Sequence, residues 1–191
     1  MSETEARRGV LRFFLDTFDD ISDDAVPMTS NDRLYTPLIV QVLDDDRRVV
    51  AGALACRPQM AAGAAMAHDL FRAVAKQMDV VSELDLIAVR PRARSLGLGS
   101  EIIQYMEREP AAREVKVRFG NATQDLDVAR LRRFYSRLDF AVLSPGQPVP
   151  PPRGVQRVPA SELQPAFYFW KAISPADLAG SDQIPEAQRV R

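Results

Sequence analysis

The stretch DVVSELDLIAVRPRARSLGLGS, residues 79–100, constrains the fold of this chain more than any other. Its apolar and β-branched residues form a run that ends at Pro91, which cannot donate a hydrogen bond to a sheet, so a strand must stop there. Gly97 and Gly99 then lead into a sequence with helical periodicity. The segment therefore predicts a strand, a tight glycine turn and a helix, in that order.

A turn of this kind can bind an anion. Its backbone N–H groups converge on one point, and the dipole of the following helix adds about half a positive charge there. Gly97 and Gly99 keep the backbone accessible because they lack a Cβ atom. Arg92 and Arg94 either add charge-assisted hydrogen bonds to the anion or are ordinary solvated residues of the turn. The glycines alone are equally typical of a tight turn, so the rest of the chain must decide.

The periodicity of the remaining sequence predicts helix, two strands, helix, strand, helix, strand, helix and two strands. The predicted helices lie in residues 6–21, 61–78, 98–109 and 125–140, and the strands lie in 34–58, 79–91, 115–122, 141–144 and 165–173. This order indicates an α+β, or mixed α/β, single domain with a central sheet flanked by helices. We expect the domain to span residues 1–173, followed by a loose polar tail over 174–191.

Composition excludes several classes of protein. Lysine and arginine number 25 and aspartate and glutamate 26, so no basic field favours nucleic acid or an acidic membrane. One cysteine, Cys56, excludes an internal disulfide, and with one histidine, His68, it argues against a structural zinc site. The Pro-rich uncharged run 140–152 is far shorter than the ~20 apolar residues of a membrane span, and the N-terminus has no apolar signal core. We therefore expect a cytoplasmic protein without metal.

Two motifs in the chain resemble those of a known family. The spacing Val89-x-Pro91-x-x-Arg94-x-x-Gly97-x-Gly99 resembles the coenzyme A signature of the GNAT superfamily of acyl-CoA dependent N-acyltransferases, with every fixed position filled. Downstream, LRRFYSRLDF resembles the second motif of that family, a helix that ends in F-Y-x-x-x-G-F. The resemblance covers roughly residues 10–173. It implies a GNAT-like, mostly antiparallel mixed sheet whose two parallel strands are splayed at the coenzyme site.

The resemblance also implies which residues bind acetyl-CoA. The backbone of Ile87, Ala88 and Val89 would hold the pantetheine arm and polarise the thioester carbonyl. The N–H groups of the turn would bind the pyrophosphate; they belong to Arg94, Ser95, Leu96, Gly97, Leu98, Gly99 and Ser100. Val128 stands where the family often has an asparagine that contacts the coenzyme, and Asn121, at a strand end, is a candidate replacement.

Three further residues are candidates for the chemistry. Tyr135 fills the tyrosine position of the second motif and would protonate the departing thiolate as general acid; alternatively, it packs beside Leu131 and Leu138. Glu83 and Asp85 lie two apart on a predicted strand, hence on one face, where either would deprotonate the acceptor amine, directly or through water. As an alternative, both carboxylates are solvated.

Asp139 replaces the usual motif glycine and can adopt the same left-handed backbone.

The sequence therefore predicts an N-acetyltransferase that moves an acetyl group from acetyl-CoA to a primary amine by direct attack. The alternative is a GNAT-fold domain that binds acyl-CoA as a sensor or interaction module without catalysis, for which the departures at Val128 and Asp139 argue. The identity of the acceptor, whether small molecule, antibiotic, peptide or protein, stays open. The apolar stretch 165–173 fits a homodimer interface and equally fits a closing core strand.

Overall fold

The computed structural model describes residues 2–19, 21–27, 37–58, 80–109, 115–123, 127–150 and 166–173. Within them lie helices α1 (Glu3–Leu15), α2 (Leu98–Arg108) and α3 (Val128–Ser136), and strands β1 (Leu38–Leu43), β2 (Val49–Cys56), β3 (Val81–Val89), β4 (Val117–Ala122), β5 (Ala141–Val142) and β6 (Phe167–Ala172). Each of these elements was predicted from the sequence. The predicted helix 61–78 with His68, and the tail 174–191, lie outside the described residues.

The contacts of the chain divide it into two compact units, residues 1–56 with 84–112 and residues 57–83 with 113–191. The hydrogen-bonded strand order is β1-β2-β3 in the first unit and β3-β4-β6-β5 in the second, because β3 contributes residues to both. The N–H of Lys116 donates to the carbonyl of Val80 over 2.7 Å, so β3 and β4 start side by side and run parallel. The β1–β2, β4–β6 and β5–β6 pairs are antiparallel. The predicted fold class, a mixed α/β fold with a mostly antiparallel sheet, is confirmed.

In the first unit, helix α1 covers one face of the sheet. Ser2 caps the helix in a capping box with Glu5, and Val10, Phe13 and Phe14 follow at helical spacing. These three side chains are buried in a cluster with residues of β1, β2 and β3, namely Ile39, Leu43, Val49, Leu54, Leu86 and Ala88. The helix ends at Leu15 rather than near Ile21 as predicted. Phe18 and Ile21 pack against the same cluster from non-helical backbone, which explains why the apolar pattern suggested a longer helix.

In the second unit, strand β6 is buried on both faces. Tyr168 and Trp170 point to one face, where they pack with Val81, Val117 and Phe119. Phe167 and Phe169 alternate with them and point to the opposite face. There the ring of Phe169 stacks on Tyr135 of α3. Residues on neighbouring strands that pair directly share a face, so the strand register decides which side chains meet.

Candidate active site

The turn before α2 has the backbone geometry that its glycines predicted. Residues Pro91–Ala93 form a single 3₁₀ turn, and Gly97 is the N-cap of α2 with φ +85°. The carbonyl of Gly97 accepts hydrogen bonds from the N–H groups of Ser100 and Glu101, which starts the helix. Ser95 also has left-handed backbone, with φ +67°. Left-handed backbone is costly for residues with a Cβ, so the glycine at position 97 avoids the strain that Ser95 bears.

The backbone of the turn is accessible to solvent. Residues 94–97 are exposed, Leu96 to 69%, and Leu98, Gly99 and Ser100 are half-buried. A Cβ atom at Gly97 would meet no atom within 4 Å. Within the described part of the chain, the N–H groups of Ser95, Leu96 and Gly97 donate to no backbone carbonyl. The turn therefore combines exposed residues with backbone N–H groups that donate to no backbone carbonyl, and such donors at a helix N-terminus suit an anion.

The arginine side chains of this region have protein partners. The Arg94 Nε donates to the carbonyl of Val89 over 3.2 Å and ties the turn to the end of β3. A guanidinium nitrogen of Arg92 donates to Asp44 over 3.0 Å. Sequence reasoning missed a third arginine, Arg90, whose Nε donates to the carbonyl of Val49 over 2.9 Å and whose guanidinium lies 5.3 Å from the ring centre of Phe13. The side chains of these arginines thus hold the turn against other residues of the first unit.

The strand residues that precede the turn lie in β3. Ala88 is buried against α1, and Ile87 and Val89 are half-buried. The N–H of Arg90 donates to the carbonyl of Val50 over 2.8 Å, so the end of β3 is held by β2. Binding of a pantetheine arm by the backbone of Ile87, Ala88 and Val89 stays a prediction.

Tyr135 sits in an aromatic cluster of the second unit. Its ring stacks on Phe169 with 3.5 Å between the ring centres, and the rings of Phe134 and Phe140 meet it edge-on. The residue is 4% exposed. Burial raises the pKa of its phenol far above the usual value of 10.0. The hydroxyl is therefore protonated at neutral pH, as a general acid must be, but it is also a weaker acid than a tyrosine in water.

The end of α3 confirms the expectation for Asp139. This residue adopts the left-handed conformation, φ +63°, that the usual glycine would take. The N–H of Phe140 then donates to the carbonyl of Tyr135 over 3.1 Å, and the aromatic ring of Phe140 packs on Tyr135. At the other end, the Asp127 side chain caps α3 by accepting from the N–H of Arg130. The motif helix is therefore intact despite its departures from the family pattern.

Glu83, Asp85 and Asn121 are half-buried on their strands. Asn121 pairs directly with Tyr168 across β4 and β6. Burial and the negative charge of Glu83 both raise the pKa of Tyr168. Tyr168 was missed by sequence reasoning because it lies in an apolar stretch that indicated a core strand or a dimer interface. The assignments of Glu83 or Asp85 as base and of Asn121 as a coenzyme contact stay predictions.

The described residues contain no group of three or more His, Cys, Asp or Glu side chains placed to hold a metal ion. No helix in the described ranges is both long enough and apolar enough to cross a membrane.

Solved structures of acetyltransferases share this fold. Tetrahymena GCN5 matches with a TM-score of 0.57 and 9% identity, over 90% of this chain and 88% of that one. An aminoglycoside 6'-acetyltransferase type Ii matches with a TM-score of 0.54 and 18% identity, over 92% and 96%. An aminoglycoside 6'-N-acetyltransferase solved with coenzyme A matches with a TM-score of 0.51 and 16% identity, over 90% and 91%. At these identities the likeness concerns the fold.

The family follows from the sequence itself. The model of the acetyltransferase (GNAT) family matches residues 7–140, which include the turn before α2 and the whole of α3. No protein of curated function matches the sequence. The chain belongs to the GNAT family of acetyltransferases, and the resemblance drawn from its two motifs is confirmed.

Proposed function

We propose that this protein is a cytoplasmic N-acetyltransferase that transfers an acetyl group from acetyl-CoA to a primary amine by direct attack. The observation that carries the proposal is the open turn at residues 94–100 in a chain of the GNAT family. Gly97 has left-handed backbone, residues 94–97 are exposed, and α2 begins directly after them. Backbone donors at a helix N-terminus suit a pyrophosphate group.

The residues of the turn and of β3 would divide the binding of acetyl-CoA between them. The N–H groups from Ser95 to Gly99 would hold the pyrophosphate, because those of Arg94 and Ser100 already donate to the carbonyls of Pro91 and Gly97. The backbone of Ile87, Ala88 and Val89 would hold the pantetheine arm and polarise the thioester carbonyl. Acetyl-CoA supplies the activated acyl group, so no metal or further cofactor is needed for the reaction.

Direct transfer requires two proton movements. Glu83, or Asp85 in its place, would take a proton from the ammonium group of the acceptor, since an ammonium has no lone pair. The amine nitrogen then forms a bond to the acetyl carbon as the carbon–sulfur bond breaks. Tyr135 would donate its proton to the departing sulfur. The high pKa of Tyr135 keeps that proton in place at neutral pH.

The test is release of free thiol from acetyl-CoA in the presence of amines of different classes. The panel contains a polyamine, an aminoglycoside, a peptide with a free N-terminus and a peptide with an internal lysine. We expect thiol release with at least one of them, together with an acetylated product of the matching mass. Acetyl-CoA binding without turnover on any amine would favour the sensor alternative.

A further inference from the structure

Tyr168 stands out among the residues that the proposed mechanism leaves unused. It is 5% exposed, lies in the middle of β6 and belongs to the apolar cluster of the second unit. A phenol in such a place is ordinarily a packing residue. Two observations about its surroundings indicate more than packing.

The first observation concerns the face of the sheet on which Tyr168 lies. Asn121 of β4 is its direct cross-strand neighbour, and directly paired residues share a face. Val81 of β3 packs in the same cluster as Tyr168. Glu83 follows Val81 by two residues along β3, so both side chains point to the same face. The strand register thus places Glu83, Asn121 and Tyr168 on one face of the second unit.

The second observation concerns charge. Burial is the larger cause of the raised pKa of Tyr168, and the carboxylate of Glu83 is the other. The lysine and arginine side chains of β4 and β6 lie on the opposite face of the sheet. Arg118 pairs directly with Lys171 across β4 and β6. Both residues alternate along their strands with Asn121 and Tyr168, so they lie on the opposite face. Lys116 lies on that opposite face too, because it is two residues from Arg118. The segment that packs on Tyr168 from β5 onward contributes the apolar residues Leu143 and Val149. Among the described residues, Glu83 is the charged group that contributes to the raised pKa of Tyr168.

We propose that Tyr168 is a positioning residue for Glu83, whose hydroxyl donates toward the carboxylate and holds it ionised and oriented for the acceptor amine. This role rests on the proposed function of Glu83 as base. A neutral phenol is a hydrogen-bond donor, and a donor stabilises a carboxylate over its protonated form. Asn121 adds an amide on the same face that can contact the carboxylate or the amine.

The coupling can be measured without an acceptor. The chain has four tyrosines, so protein labelled with ¹³C at the tyrosine Cζ gives few resonances, and that of Tyr168 is assigned by its loss in Tyr168→Phe. In a titration from pH 8 to 11.5, Glu83→Gln should lower the midpoint of Tyr168 by about 0.5 to 1 pH unit, because the charge that raises it is gone. The matched variant Asp85→Asn should leave the midpoint unchanged. An unchanged midpoint in Glu83→Gln, or an equal shift in both variants, overturns the proposal.

The positioning role is read from the pH profile of kcat/KM with an amine that is turned over. Tyr168→Phe keeps the aromatic ring. It should shift the midpoint of the acidic limb of this profile to higher pH by about 0.5 to 1 pH unit, since Glu83 then protonates more easily. Trp170→Phe, on the same face of β6, should change stability but not the midpoint of that limb. A limb that stays in place in Tyr168→Phe contradicts the role. If wild-type protein acetylates no amine, the proposed function fails, while the tyrosine titration still decides the coupling.

Discussion

The turn before α2 and the aromatic surroundings of β6 carry candidate functional residues of different kinds. In the turn, the candidate ligand-binding groups are backbone N–H groups of exposed residues, and Ser95 and Gly97 have left-handed backbone. Around β6 they are side chains, Tyr135 on one face and Tyr168 on the other, both buried. Changes in the turn should therefore alter the affinity for acetyl-CoA. Changes around β6 should alter rate and pH dependence instead.

The largest effect is expected on the kcat of the variant Tyr135→Phe. Loss of the general acid should lower kcat by about 100-fold or more, while the ring packing on Phe169 is kept. The dissociation constant of acetyl-CoA, measured by calorimetry on the same preparation, should stay within about twofold. A kcat near the wild-type value would mean that Tyr135 has only a packing role.

The turn is tested by a pair of glycine variants. Gly97 and Gly146 both have left-handed backbone, φ +85° and +76°, and both have open space where a Cβ would be. Gly97→Glu and Gly146→Glu therefore carry the same type of backbone strain and the same added charge. We expect similar losses of Tm, but a weakening of acetyl-CoA binding by roughly 10-fold or more only in Gly97→Glu, through repulsion of phosphate. Equal binding by the two variants would show that the turn does not hold the coenzyme.

The buried state of Tyr135 predicts the alkaline behaviour of the fold. Its pKa is raised in the folded protein, so the folded state keeps a proton that the unfolded chain loses above about pH 10. Its stabilising contribution is complete below that pH and falls by about 1.4 kcal/mol per pH unit above it. Urea unfolding between pH 8 and 11 should therefore show a shallower loss of stability in Tyr135→Phe than in wild type. Parallel curves would contradict the burial of the hydroxyl.

The smallest effect concerns the ion pair of Arg92 with Asp44, whose closest atoms are 3.0 Å apart. Asp44→Asn releases Arg92, which should strengthen acetyl-CoA binding by up to about threefold at low salt, with no gain at high salt. Asp46→Asn, which removes a looser pair with Arg48, is the matched control. Equal affinities of Asp44→Asn and the control at low salt would mean that Arg92 does not reach the coenzyme, so the turn would act through its backbone alone.

Local patterns predicted the parts of the molecule that depend on neighbouring residues. Pro91, Gly97 and the periodicity of α2 defined the turn, since each acts within a few positions along the chain. The left-handed Asp139 was predicted for the same reason. The end of α1 was not, because Phe18 and Ile21 are buried by tertiary contacts that mimic helical spacing.

Contacts between distant residues stayed hidden in the sequence. Arg90 donates to Val49, 41 residues away, and nothing near Arg90 indicates that partner. Tyr168 shares a face of the sheet with Glu83 because β3, β4 and β6 are neighbours, and the chain order does not reveal this. The motif made Tyr135 a candidate, whereas the strand register was needed to make Tyr168 one.

The most direct test of the central claim is calorimetric titration of the wild-type protein with acetyl-CoA, with ADP as a control. We predict binding of acetyl-CoA at one site per chain with micromolar affinity, and weaker binding of ADP, which has a pyrophosphate but no pantetheine arm. Absence of binding by acetyl-CoA and by longer acyl-CoAs would contradict both the enzyme and the sensor alternative. The turn at residues 94–100 would then be a structural turn in a GNAT fold that binds no coenzyme.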